Sequence, residues 1–219
     1  MKIAIDGPAG AGKSATAKAL AKELGFIYVD TGALYRGIGL YALRKGAKTN
    51  SIEEVVPLLA EIKIEMKHID GEQHIFLNGE DVSGFIRTES VSAAASDVSA
   101  IPAVRDFLFD MQREIAEKNS VVMDGRDIGT VVLPDAQVKI FLTASVDVRA
   151  DRRYKELIEK GEKADLAEIK AQIKERDARD MNRPIAPLKQ ADDAVLVDTS
   201  DMTIEEVVAA ITRIIEEKI

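Results

Sequence analysis

The sequence predicts an α/β protein: a five-stranded parallel sheet flanked by helices, with a small antiparallel β insert. Three observations carry this. A glycine-rich run, Gly7-Pro8-Ala9-Gly10-Ala11-Gly12-Lys13-Ser14, lies between a strand-like and a helix-like stretch. Five short segments rich in β-branched residues alternate with helical patterns along the chain. Between residues 62 and 86 that rhythm breaks into short alternating runs separated by Asp70-Gly71 and Asn78-Gly79, dipeptides that favour tight hairpin turns.

Taken in order, the strands read as Lys2–Asp6, Phe26–Asp30, Ser120–Asp124, Val138–Thr143 and Ala194–Asp198. Runs such as Val121-Val122-Met123 are apolar without alternation, as strands covered on both faces of a parallel sheet are. The helix after the glycine-rich run spans Ala15–Leu24 and closes at Gly25. Pro102 suits the first turn of a helix running to Lys118, and Gly161 closes one that starts near Val146. Thr203 and Glu206 form a capping box for a helix over Val207–Lys218. The insert reads as three strands, Ile64–His68, Gln73–Leu77 and Glu80–Val82. His68 and His74 both lie there and read as solvated surface residues, not metal ligands.

Composition narrows the function classes. The 219 residues, 46% hydrophobic and 31% charged, suit one ordinary globular domain. The absence of cysteine excludes disulfides, a thiol nucleophile and cysteine-held metals. A formal net charge of −8 argues against nucleic acid as a partner bound through a broad basic face. Asp6 interrupts the first apolar run, so no secretory signal is visible, and no apolar run approaches the ~20 residues a membrane helix needs. The expected location is the cytoplasm, with no membrane partner. Against the acidic background, arginines gather at positions 149, 152 and 153 and again at 176, 179 and 183. Local positive charge of that kind suits phosphate handling.

The run from Gly7 to Ser14 is a complete phosphate-binding loop, G-x-x-x-x-G-K-S, in the strand–loop–helix context the motif requires. Its glycines let backbone N–H groups point at phosphate oxygens, and the next helix adds its positive N-terminal end. Lys13 reaches the β- and γ-phosphates, and the Ser14 hydroxyl ligates Mg²⁺. The loop alone does not name a reaction. Opposite it, at the carboxyl ends of the third and second strands, come Asp124-Gly125-Arg126-Asp127 and Asp30-Thr31-Gly32-Ala33-Leu34-Tyr35-Arg36. Both project over the same sheet edge as the loop. An acidic–hydroxyl–glycine turn flanked by arginines reads as a second anion site, with Asp30 or Thr31 also able to cap a helix.

These motifs, with Ile5-Asp6-Gly7-Pro8-Ala9-Gly10-Ala11-Gly12-Lys13, Ile128-Gly129-Thr130-Val131-Val132, Glu175-Arg176-Asp177, Asp180, Asn182 and Arg183, resemble those of the bacterial cytidylate (CMP) kinases. The resemblance runs in order from Ile3 to about Ser200, and Gly79-Glu80-Asp81-Val82-Ser83 resembles part of the insert that distinguishes this family from shorter relatives. It implies a P-loop NTPase-like fold with strand order 2-3-1-4-5 and a single domain over 1–219. The core would comprise 1–61, 87–151 and 185–219, the monophosphate-binding insert about 62–86, and a short helical lid about 152–184. It implies transfer of a phosphoryl group from ATP, with Mg²⁺, to CMP or dCMP, by a monomer.

The resemblance also assigns residues. Gly7, Pro8, Ala9, Gly10, Ala11, Gly12, Lys13, Ser14 and Ala15 would hold ATP, with Ser14 on the metal. Lys13, Arg126, Arg152 and Arg183 would be catalytic. Thr31, Arg36, Ser96, Arg105, Arg126, Asp127, Arg176, Asp180 and Arg183 would bind CMP. Within that set, Arg36, Arg126 and Arg183 resemble acceptor-phosphate arginines, Ser96, Arg105 and Asp127 cytosine contacts, and Arg176 and Asp180 ribose contacts. Arg149, Arg152 and Arg153 resemble a lid cluster closing over ATP. Thr31 stands where a serine is common, and Met181 where a basic residue is. Without the resemblance, Ser96 and Arg105 read as plain helix-surface residues. The rival readings are a kinase for UMP, AMP or dephospho-coenzyme A, a noncatalytic relative, and a nucleotide-dependent switch. The Asn-Lys-x-Asp segment common in guanine-binding switches is absent from the sequence.

Overall fold

The computed structural model describes residues 1–218. A five-stranded sheet runs in the order β2-β6-β1-β7-β8. Its strands are β1 (Lys2–Asp6), β2 (Ile27–Asp30), β6 (Val121–Gly125), β7 (Val138–Thr143) and β8 (Val195–Asp198). The pairs β1–β6, β1–β7 and β7–β8 are parallel. The second sheet is antiparallel, β3 (Ile64–Ile69), β4 (Glu72–Leu77) and β5 (Glu80–Asp81) in that order. Its two turns have the geometry the dipeptides demand, with φ 52° and 80° at Asp70-Gly71 and 51° and 86° at Asn78-Gly79. Positive φ at both central residues matches the right-handed twist of the flanking strands.

The helices are α1 (Lys13–Leu24), α2 (Thr31–Arg44), α3 (Ile52–Val55), α4 (Glu89–Val98), α5 (Pro102–Lys118), α6 (Val146–Glu159), α7 (Leu166–Asn182) and α8 (Ile204–Lys218). Their ends follow the local chemistry. Asp30 caps α2 by accepting from the Ala33 N–H at 3.0 Å. Thr203 and Glu206 make the reciprocal capping box of α8. α1 starts at Lys13, two residues before its sequence-based start, because Gly12 at φ 87° takes the N-cap position. Three pieces have no counterpart in the sequence pattern: the short α3, a 3₁₀ turn over Val56–Glu61 and a π-helical turn over Ile128–Val132.

The chain divides into two compact units, Met1–Tyr28 with Asn119–Ile219 and Val29–Lys118. The first has its own core, with Ile3, Ile5, Leu20, Val122, Val138, Ile140, Leu142 and Ile211 buried together. The second buries Leu34, Ile38, Ile64, Ile75, Val98, Val104 and Leu108. Register sets up the functional edge of the first unit. Asp6 lies opposite Gly125 and Phe141, so the segments after β1 and β6 leave the sheet level with each other. Among the described residues, no helix is long and apolar enough to cross a membrane.

Candidate phosphoryl-transfer site

In the first unit, the turn from Gly7 to Gly12 wraps from β1 into α1 with positive φ at Gly7, Gly10 and Gly12. Gly7 has no alternative: a Cβ there would lie 1.9 Å from the Leu142 carbonyl oxygen of β7. No side chain caps α1, so its first amides keep their field for an anion. Lys13 is buried, and its ammonium donates to the Pro8 carbonyl at 2.8 Å. Burial, then the like charge of Arg126, depress its pKa from 10.5 to about 7, against the pull of Asp124 and Asp6.

The Ser14 hydroxyl donates to the Asp124 carboxylate at 2.8 Å. A serine oxygen beside a buried carboxylate at the end of a neighbouring strand is a hard-oxygen pair, the donor chemistry Mg²⁺ takes. The residues present therefore fit the ion. Asp6, also buried, accepts from the N–H groups of Ile128 (2.8 Å) and Gly129 (2.7 Å) and so holds the chain directly after Asp127. Burial raises its pKa to about 6, and the two backbone donors offset only part of that.

Arginines and carboxylates alternate along the turn after β6 and the end of α7. Arg126 Nε donates to Asp180 at 2.9 Å, and Arg183 lies 3.5 Å from Asp127. Asp127 and Asp180 are both buried. Burial opposes ionisation of Asp180, yet Arg126, Arg176 and Arg183 outweigh it and hold its pKa below the ordinary carboxylate value. The structure thus brings Lys13, Ser14, Arg126, Asp127, Arg176, Asp180 and Arg183 into one charged network of the first unit.

The three arginines of α6 separate. Arg149 is buried and fully engaged: it donates to both Asp177 oxygens (3.0 and 2.5 Å) and to the carbonyls of Ala9 (3.0 Å) and Ala144 (3.0 Å). It locks the phosphate loop to α7. Arg152 donates to the Thr199 hydroxyl (3.1 Å) and carbonyl (2.6 Å), and that hydroxyl in turn donates to Ala11 in the loop. Arg153 pairs with Glu156 on its own helix.

The second unit carries Thr31, Arg36, Ser96 and Arg105. Thr31 is buried at the first position of α2. Arg36 donates from Nη2 to Asp30 at 2.5 Å, and its Nε is buried without a hydrogen-bond partner. Ser96 is half-buried on α4. Arg105 corrects the bare sequence reading of a solvated residue: it is 8% exposed, stacks over Tyr35 with 5.6 Å to the ring centroid, and donates to the Ser99 carbonyl. Helical periodicity does not reveal this, because the ring it covers comes from α2.

Sequence reasoning named Asp6, Asp124 and Asp177 within motifs without giving them a role, and passed over Gln73 and Thr199. Asp124 had a readable signal, an acidic residue closing the apolar run Val121-Val122-Met123. The partners of Asp177 and Thr199 are too far along the chain to leave one.

The family model described as cytidylate kinase matches residues 3–217. A cytidylate kinase of Ligilactobacillus salivarius is 52% identical over 218 residues, covering 100% of this chain and 97% of that protein. One from Caldicellulosiruptor saccharolyticus is 50% identical over 214 residues, covering 98% and 95%. A solved structure of an uncharacterized protein from Eubacterium ventriosum matches at TM-score 0.56 and 14% identity, covering 99% of this chain and 98% of that one. At that identity the likeness speaks to the fold alone.

Proposed function

The chain belongs to the cytidylate kinase family, and on that premise we propose that it transfers the γ-phosphoryl group of ATP to CMP or dCMP, giving ADP and CDP or dCDP. The observation that carries the reading is an arginine cluster beside a phosphate loop, with the charge to take a second anion. Arg126, Arg176 and Arg183 gather on the buried carboxylates Asp127 and Asp180, at the sheet edge where Lys13 also sits. A switch has no need of a second anion. A kinase does, because an acceptor phosphate dianion must approach a tetra-anionic triphosphate, and their repulsion has to be offset before in-line transfer.

In this reading the loop from Gly7 to Ala15 holds the triphosphate, and Lys13 neutralises its β- and γ-oxygens. Ser14 and Asp124 would hold Mg²⁺, which would supply further charge neutralisation at those oxygens. Arg126 and Arg183 stabilise the charge that develops on the transferring group, with Arg152 joining from α6. No general base is required, since a phosphate oxygen is already a nucleophile. Within the second unit, Thr31, Arg36, Ser96 and Arg105 are assigned to CMP; within the first, Asp127, Arg176 and Asp180 are. The base is chosen by donor and acceptor pattern. Cytosine offers two acceptors and an amino donor, which an arginine and a hydroxyl or carboxylate complement, whereas uracil presents the wrong groups. The same reading places the chain in the cytoplasm as a monomer.

The experiment is a coupled measurement of ADP formation with Mg-ATP and CMP, dCMP, UMP, AMP and GMP. Turnover strongly favouring CMP and dCMP is expected. Preference for another acceptor would remove Ser96, Arg105 and Asp127 as cytosine readers, and no acceptor-dependent turnover would overturn the reading.

A further inference from the structure

Gln73, the second residue of β4, grips the main chain of Asp30 at both of its polar atoms. Its Oε1 accepts from the Asp30 N–H at 2.8 Å, and its Nε2 donates to the Asp30 carbonyl at 3.1 Å. β2 is an outer strand of its sheet, so the outward N–H and C=O of Asp30 have no neighbouring strand to meet. A carboxamide carries one acceptor and donors side by side, which is the pattern such a strand would have offered.

The Asp30 side chain is held at the same time. Oδ1 accepts from Ala33 at the start of α2, and Oδ2 accepts from Arg36 (2.5 Å) and Arg87 (3.4 Å). A separate contact joins the hairpin to α2 just past Arg36. Gly37 has no side chain, and a Cβ built there would lie 2.8 Å from Ile64 Cδ1 and 3.4 Å from Ile75 Cγ2. The antiparallel hairpin therefore holds α2 at its start, through Gln73, and again at Gly37, through Ile64 and Ile75. Thr31 and Arg36 lie between those two points.

We propose that Gln73 is a positioning residue for the acceptor nucleotide: its two main-chain hydrogen bonds fix Asp30, and through it the Thr31 hydroxyl and the Arg36 guanidinium. This rests on the assignment of Thr31 and Arg36 to CMP made above. It gives the insert a part in substrate recognition that requires no contact with substrate. Gln73 acts through the end of β2, and the guanidinium it helps to place keeps a buried, unpartnered Nε.

The test is steady-state kinetics on the full chain, comparing wild type with Gln73→Leu and with Gln73→Met as a second variant of similar length. Loss of both hydrogen bonds is expected to raise the KM for CMP roughly three- to tenfold. The KM for ATP stays within about twofold and the melting temperature within a few degrees. A structural defect would move all three. If Gln73 works through Arg36, the increase in CMP KM shrinks when Gln73→Leu is made in an Arg36→Ala background. Unchanged CMP KM in both variants, full additivity with Arg36→Ala, or a joint rise of both KM values with a falling melting temperature would each overturn the proposal. Wild type without CMP-dependent ADP formation strikes the functional reading itself, and this inference falls with it.

Discussion

Lys13 is a buried ammonium whose pKa is held near 7 by burial and by Arg126, and it donates to the Pro8 carbonyl. The phosphates of ATP would return the charge it has lost. Binding ATP at pH 8 is therefore expected to take up roughly 0.5–0.9 proton per site. Calorimetry in two buffers of different ionisation heat reads this directly, and proton release or no uptake would contradict it. Arg126 makes the complementary case. It serves no core, its side chain is one-fifth exposed, and its Nε is spent on Asp180. Arg126→Ala should lower kcat by about 10²–10³-fold while leaving the melting temperature within a few degrees. Turnover within about tenfold of wild type would remove Arg126 from the chemistry.

At the scale of elements, α2 and α4 meet where α2 carries no side chain. A Cβ on Gly39 would lie 3.0 Å from both the Ala94 Cβ and the Ala95 main-chain nitrogen. Backbone cannot yield as a side-chain tip does, so Gly39→Ala should cost about 1–3 kcal/mol and shift α4, which carries Ser96. Gly37→Ala clashes with the end of the Ile64 side chain, touches Ile75 at ordinary contact distance and gains up to about 1 kcal/mol of helix propensity, so it should be close to neutral. Chemical denaturation of the two variants checks the contrast, and equal costs would refute it. Elements were also where the sequence was most legible. Asp70-Gly71 and Asn78-Gly79 specify left-handed turns, Thr203 and Glu206 specify a helix start, and the five apolar runs specify strands, because each signal and its consequence lie within a few residues.

For the whole molecule, stability couples to the site through Asp6. Its folded pKa of about 6 stands above the unfolded 3.8, so its contribution is fully present below about pH 4 and is lost as pH rises through 6. The difference in melting temperature between wild type and Asp6→Asn should accordingly fall between about pH 4 and 7; a flat or rising difference would show that burial does not govern this carboxyl. The amino-acid sequence by itself determined the order of strands and helices, the phosphate loop with Lys13 and Ser14, and the hairpin turns. It also carried the motif residues whose family resemblance the full-length match bears out. Those depend on periodicity and on short-range backbone preference. Only the tertiary structure decided that Thr199 bonds Ala11, that Arg149 is sealed between Asp177 and Ala9, that Arg105 lies over Tyr35, and that Gln73 clasps Asp30. Those partners lie from 28 to 188 residues apart in the hydrogen-bonded pairs, and no local pattern encodes them. They exist because packing the core within each unit takes distant polar groups out of water together, where each must find a partner or carry the cost of having none.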